Sequence, residues 1–333
     1  MTILIVRLGA LGDLVHTIPA AAALRRRFPA ARIDWAVDTR HAPLVGLVEV
    51  VDRVVPLQGR SAAAWVQLVR DLRPARYDVA LDFQGLMKSA VIARASGAGR
   101  VIGFSIWHLR EKTARPFYSE VEPDGPFTHV IEKNLRMTQA LGVTDTTVEF
   151  PLRRVASGAR DDVCRRAAGR AIALLNPGAA WPNKRWPASR FAEVAAFLHD
   201  VHGMHACVLW GPGEEALARE VVAVSAGAAH LAPPTTTPDL LEICRSAAIM
   251  VSGDTGPLHI AGAAGTPLVA IFGPTDPARN GPWSAADVAV SRSAACGCSY
   301  RRRCTQSAWC LLDVPVAEVT AAVQRRLAAA RDP

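Results

Sequence analysis

The sequence predicts an α/β protein built from two parallel-sheet domains. Three observations carry that expectation. Short apolar, β-prone runs alternate with helical periodicity along most of the chain, the pattern of a parallel sheet covered on both faces. The alternation breaks around residues 150–170 and then restarts, so the 333 residues divide into two halves, taken as 1–160 and 161–333. In each half the first strand runs directly into a glycine-bearing turn.

Residues 2–6 (Thr-Ile-Leu-Ile-Val) form the first strand and lead into Gly9-Ala10-Leu11-Gly12-Asp13, after which helical periodicity covers 14–28. Further strands are expected at 33–37, 53–56, 79–82 and 100–104, separated by helical patterns near 40–48, 61–72 and 86–96. Phe150-Pro151-Leu152-Arg153-Arg154 and the polar stretch 157–170 read as a linker and a surface helix. The second series has strands at 172–175, 206–210, 247–251 and 268–272. Its helices fall at 187–202, 214–225, 238–246 and 260–265, with a last amphipathic helix at 315–330. Two Rossmann-like halves of this kind are expected to face a cleft with the ends of their strands.

Half of the residues are hydrophobic and a fifth are charged, a globular composition. No apolar run reaches the roughly 20 residues that span a bilayer. The first strand begins at residue 2 without a leader pattern, so a cytosolic location is expected. A formal charge of +8 points to an anionic partner: phosphate, nucleic acid or an acidic membrane surface. Nucleic acid is the weakest of these, because the aromatic-studded sheet motifs that stack bases are missing.

Of the seven cysteines, Cys164, Cys207 and Cys244 are scattered and read as reduced core residues. Cys296, Cys298, Cys304 and Cys310 are clustered. Four thiolates this close would suffice for a tetrahedral structural site holding zinc or iron, although the C-x-C opening is less usual than C-x-x-C. The other reading is unligated thiols in a basic loop, with Arg301, Arg302 and Arg303 available to lower thiol pKa values or touch acidic lipid.

The chemistry concentrates in the turns that follow strands. Ser252-Gly253-Asp254-Thr255-Gly256-Pro257-Leu258-His259 joins a strand to a short helix, a context in which backbone N–H groups face a phosphate. Gly253 and Gly256 permit close approach, and Pro257 suits a first turn that needs no N–H. The same octapeptide also reads as a helix start capped by Asp254 or Thr255. The first turn of the chain lacks G-x-G-x-x-G, which argues against a dinucleotide cofactor. It offers Asp13 at a helix N-terminus, either an acid favoured by the dipole or a general base. Lys184 and Arg185 precede a helix where a cation would neutralise a diphosphate, and Glu214 ends the next strand where it would accept hydrogen bonds from a ribose.

These segments together resemble glycosyltransferase family 9, the lipopolysaccharide heptosyltransferases, and within it the type I enzymes. The resemblance covers nearly the whole chain. In the first half it rests on Leu8-Gly9 through Asp13 with His16-Thr17-Ile18-Pro19, on Asp34-Trp35-Ala36-Val37, on Asp82-Phe83-Gln84-Gly85-Leu86-Met87-Lys88-Ser89-Ala90, and on Gly103-Phe104 with Arg110-Glu111. In the second it rests on Lys184-Arg185-Trp186-Pro187, Trp210-Gly211, Asp254-Thr255-Gly256 with His259, and Phe272-Gly273-Pro274-Thr275-Asp276-Pro277. It implies a GT-B fold with the acceptor on the N-terminal domain and the nucleotide sugar on the C-terminal one. The implied reaction is inverting transfer of L-glycero-D-manno-heptose from ADP-heptose to a Kdo residue of the lipid A inner core, at the cytoplasmic face of the inner membrane and without a catalytic metal.

By the same resemblance Asp13 is the base and Lys184 stabilises the departing diphosphate. Glu214, Asp254, Thr255, Gly256 and His259 line the donor site, while Gly12, Arg60, Lys88 and Arg110 are candidates for the acceptor. The cysteine cluster is similar instead to the tail of the type II enzymes, whose acceptor is a heptose, and more loosely to the iron-binding cysteines of autotransporter heptosyltransferases. A family 9 enzyme with another acceptor is therefore the alternative. A nucleotide-sugar epimerase shares the two-domain architecture, but the Asp13 turn and the Lys184 loop do not match its acid/base pattern.

Overall fold

The computed structural model describes residues 1–123 and 125–330. It divides into two compact units, the first ending at Arg154 and the second starting at Val155. The expected boundary at 160 would cut the helix Gly158–Ala167, and hydrogen bonds explain the earlier division. Leu152 pairs with Val48 in an antiparallel bridge, and Arg153 N–H donates to Leu47 O, which holds this segment to the first unit. Val155 N–H donates to Glu242 and Ser157 Oγ to Asp239, which commits the following residues to the second.

The first unit contains β1 (Thr2–Val6), β2 (Arg32–Asp38), β3 (Arg53–Leu57), β4 (Val79–Asp82), β5 (Arg100–Gly103) and β6 (Glu120–Val121). They form one parallel sheet in the order β3-β2-β1-β4-β5-β6. Ile3, Leu4, Ile5 and Val6 are fully buried, as expected of a central strand packed on both faces. The periodic stretch 14–28 is two helices, Leu11–Val15 and Ile18–Arg27. Pro19 has no N–H to return to residue 15, so the helix restarts with proline in its first turn. Thr17 Oγ donates to Asp13 O at 2.8 Å and covers one of the carbonyls left at the break.

The second unit contains β7 (Ile172–Asn176), β8 (His205–Val208), β9 (Ala229–Leu231), β10 (Ala247–Gly253), β11 (Leu268–Phe272) and β12 (Val288–Ser291). The order β12-β11-β10-β7-β8-β9 repeats that of the first sheet when the strands are counted from β7. Helices Ala188–His202, Thr237–Arg245 and Val316–Ala329 fall within two residues of expectation. The periodicity does not mark β6, β9, β12 or the helix Val130–Gln139: the three strands have two to four residues, too few to show a period. Among the described residues no helix is long and apolar enough to cross a membrane.

In both sheets the chain reverses its winding between the first and fourth strands of the series. The loops leaving β1 and β4, and those leaving β7 and β10, therefore occupy the two switch points where open α/β sheets bind ligands.

Candidate functional site

At the first switch point the turn after β1 is locked to the loop after β4. Gln84 Oε1 accepts the Leu8 N–H at 2.9 Å and the Gly9 N–H at 3.4 Å, and Arg7 donates to Phe83 O. Asp13 sits in the helix Leu11–Val15, with Gly12 half-buried beside it. Its Oδ2 accepts from Arg7 Nη2 at 2.6 Å and from the Ala10 N–H at 3.2 Å. Both bonds fall on one oxygen, and the side chain is 40% exposed. Asp13 is thus fixed in orientation through Oδ2 alone, an arrangement compatible with a general base.

Asp82 stands close by in sequence to Gln84 but has another job. Fully buried, it accepts from Ser89 Oγ, Tyr118 OH and the N–H groups of Gln84 and Gly85. Burial pushes its carboxyl upward against those four donors. It shapes the β4 loop and is out of reach of a ligand. Arg60, Lys88 and Arg110 are all exposed on loops and helix starts that follow β3, β4 and β5. Lys88 Nζ lies 5.7 Å from the Trp65 ring. The Arg110 loop is tied to the helix carrying Lys88, because Glu111 Oε2 accepts the Met87 N–H at 2.8 Å.

The second switch point centres on Asp254. Its side chain is 4% exposed and is met by Lys184 Nζ at 2.5 Å, Thr275 Oγ at 2.7 Å, Asn280 Nδ2 at 3.0 Å and His259 Nε2 at 3.3 Å. Burial opposes its ionisation, but His259 and Lys184 outweigh that and hold the carboxyl well below the usual range. Lys184 is itself 14% exposed and lies over the Trp181 ring at 4.5 Å. It is therefore not the bare cation the sequence suggests: a buried carboxylate already shares its charge. Gly253 is required where the Lys184 loop crosses β10, since a Cβ there would meet Lys184 O at 2.9 Å.

Thr255 precedes the helix Gly256–Ala263 without capping it. Its Oγ accepts from Asn176 Nδ2 at 3.0 Å, and Asn176 also reaches Ser252 Oγ. The first-turn N–H groups of Gly256 and Leu258 are left without a side-chain cap, as an anion site needs. Glu214 sits against the backbone of the β7 loop. Its Oε2 accepts the Gly211 N–H at 3.2 Å, and a Cβ on Gly178 would lie 2.2 Å from that oxygen. Asn176, Trp181, Thr275 and Asn280 were not singled out in the sequence as site residues. Thr275 lies within the segment Phe272 to Pro277, and Asn176 and Trp181 lie between the strand at 172–175 and Lys184, whereas nothing in the sequence flags Asn280.

The cysteine segment packs beside this centre. Asn183 Nδ2 donates to Arg301 O, Trp309 Nε1 to Arg185 O, and the Tyr300 N–H to Pro274 O. Cys298 Sγ lies 3.2 Å from Cys304 Sγ and receives the Thr305 N–H at 3.1 Å. Hydrogen bonds from Thr305 bring Cys298 down to about 7. Burial, then contact with Cys296, pushes Cys310 up to about 12. Thiolates sharing a tetrahedral zinc with ~2.3 Å bonds stand roughly 3.8 Å apart. Among the described residues no three or more Cys, His, Asp or Glu are gathered to hold a metal ion. Cys298 thus stands beside Cys304, and Cys310 beside Cys296.

Comparison with known proteins agrees with this geometry. The family model described as glycosyltransferase family 9 (heptosyltransferase) matches residues 65–310. Lipopolysaccharide heptosyltransferase 1 of Pseudomonas aeruginosa is 26% identical over 319 residues, covering 92% of this chain and 88% of that protein. A family 9 glycosyl transferase from Veillonella parvula superposes with a TM-score of 0.84 at 21% identity, covering 98% of this chain and 97% of the other. The E. coli heptosyltransferase WaaC with ADP superposes with a TM-score of 0.76 at 22% identity, covering 97% of each.

Proposed function

Because the chain belongs to glycosyltransferase family 9, we propose that it moves L-glycero-D-manno-heptose from ADP-heptose to a Kdo hydroxyl of the lipid A inner core. The chain is a glycosyltransferase of α/β GT-B fold; the donor, the acceptor and the residue roles are our reading. The observation that carries it is Asp13: a half-exposed carboxylate at a switch point, held through Oδ2 by Arg7 and the Ala10 N–H. In this reading Oδ1 takes the proton of the acceptor hydroxyl as the hydroxyl oxygen attacks the anomeric carbon. Attack on the face opposite the nucleotide breaks the bond to the diphosphate oxygen and inverts the configuration.

Negative charge then grows on the leaving ADP. Lys184 Nζ and the uncapped N–H groups of Gly256 and Leu258 are preorganised to meet it, which is where fixed donors lower a barrier most. Asp254 and His259 hold Lys184 in place, and Glu214 accepts from sugar hydroxyls. The bound ADP named for the E. coli enzyme supports a nucleoside diphosphate donor here. Lys88 and Arg110, with Gly12 at the turn, are proposed to meet the anionic acceptor, with Arg60 at the edge. The acceptor being lipid-linked, the enzyme would work at the cytoplasmic face of the inner membrane.

The test offers ADP-heptose to purified protein with Kdo₂-lipid A and with heptosylated core in separate reactions. Transfer to Kdo₂-lipid A, lost in Asp13→Asn while ADP still binds, is the expected result. Transfer only to heptosylated core would replace Kdo by heptose as acceptor, and turnover unaffected by Asp13→Asn would remove the base.

A further inference from the structure

Half of the large hydrophobic side chains exposed on the described residues fall on three neighbouring segments of the first unit. Trp107 is 81% exposed and Ile106 42%, both on the loop that leaves β5. Met87 and Val91, one turn apart on the helix Met87–Ala95, are 39% and 40% exposed, and Val66 on the helix Ala62–Leu72 is 50% exposed. The segments touch. Glu111 N–H donates to Gly85 O, Glu111 Oε2 accepts from Met87 N–H, and Lys88 Nζ approaches the Trp65 ring.

Positive charge is interleaved with this apolar surface. Lys88, Arg110 and Lys112 are exposed on the same segments, and the acid among them, Glu111, is occupied by the Met87 N–H. Contiguous exposed apolar surface is uncommon on a soluble domain and marks an interaction site. A protruding tryptophan beside lysine and arginine matches the layered chemistry of a bilayer surface, where indole sits at headgroup level and cations meet anionic phosphates.

We propose that this face docks on an anionic lipid bilayer, with Trp107 and Ile106 entering the headgroup layer and Lys88, Arg110 and Lys112 meeting lipid phosphates. The inference rests on the function proposed above only in that a lipid-linked acceptor gives docking a use; exposure and charge stand apart from it.

The experiment is sedimentation of the full chain with vesicles that contain no acceptor, either phosphatidylcholine alone or phosphatidylcholine with phosphatidylglycerol. Binding is expected only with the anionic vesicles and is expected to weaken as salt is raised. The double variant Ile106→Ser, Trp107→Ser should lose about ten-fold in vesicle affinity, and Lys112→Ala about five-fold. ADP affinity, measured by calorimetry, should be unchanged in the double variant, which shows that it is folded. Equal binding to both vesicle types, no binding, or a double variant that binds like the parent would overturn the proposal. Vesicle binding without heptosyl transfer would sink the proposed function and leave the docking face intact; transfer without vesicle binding would do the reverse.

Discussion

The two sheets share one strand order and each places a carboxylate at its switch point, Asp13 after the first strand of one and Asp254 after the fourth strand of the other, yet the two carboxylates are treated oppositely. Asp13 is 40% exposed and bonded through one oxygen to a guanidinium and an N–H. Asp254 is 4% exposed and receives four side-chain donors, two of them cationic or able to become so. Four donors hold the buried Asp254 carboxyl well below the usual range, whereas Asp13 is bonded through Oδ2 alone. What separates them is the number of donors: Asp254 is committed to holding charge, and Asp13 keeps one oxygen outside its bonds to Arg7 and Ala10.

The largest expected effect breaks that comparison at its reactive end. Asp13→Asn should lower kcat by about 10²–10⁴-fold, the range for removing a general base, with ADP affinity kept. Steady-state rates beside ADP calorimetry check both halves of the statement. Unfolding midpoints in urea should fall modestly, because Asp13 is partly exposed but its partner Arg7 is only 12% exposed and loses a charged acceptor.

At the other end, Lys184→Met leaves Asp254 buried with one cation fewer. The expected loss is about 3 kcal/mol of stability, since removing one partner strands the other charge. ADP affinity should fall as well, and a urea midpoint equal to that of the parent would show that Lys184 serves only the ligand.

The pH dependence of stability should also be set in the second unit. His205 is buried on β8, its ring stacked on His230 at 4.6 Å and reached by Arg170. Burial first, then His230 and Arg170, bring it down to about 4. Its unfolded value is about 6.5. Between these values the unfolded chain carries the extra proton, so stability is full above about 6.5 and is lost as pH falls toward about 4. The loss should be on the order of 3 kcal/mol, and His205→Gln should flatten the profile of urea midpoints across that window.

The smallest effect concerns the Glu214 contact. In Gly178→Ala the new methyl group displaces a carboxylate that sits 2.2 Å from the Cβ position and weakens its bond to the Gly211 N–H. About 1 kcal/mol of donor binding should be lost, read as a several-fold rise in KM for ADP-heptose with kcat little changed. A fall in kcat with KM unchanged would move Glu214 from binding the donor to assisting the reaction.

Much of this was legible in the chain. Central strands such as β1, β7 and β11 are continuous apolar runs because both of their faces are covered, and such runs are the easiest signal to read. Asp13, Lys184 and Asp254 stand out in the sequence because each follows a strand in a βα connection, and such loops carry function. The break at Thr17 was missed because Pro19 reads equally as a kink or as a fresh first turn until the partner of the Asp13 carbonyl is known. Asn280 was missed because it is brought to Asp254 by the chain path after β11 and not by any local pattern.

By itself the sequence determined the βα alternation, the twofold repetition of the unit and the positions of the turns, since these follow from local periodicity, glycine and proline. Only the tertiary structure decided which charges are spent on one another. Lys184 and Asp254 are 70 residues apart, as are Asn176 and Thr255 by 79, and their meeting depends on β7 lying beside β10. The same holds for the face formed by Trp107, Met87 and Lys88. Periodicity reports burial within one element, whereas electrostatic pairing and exposed surface are properties of elements packed together.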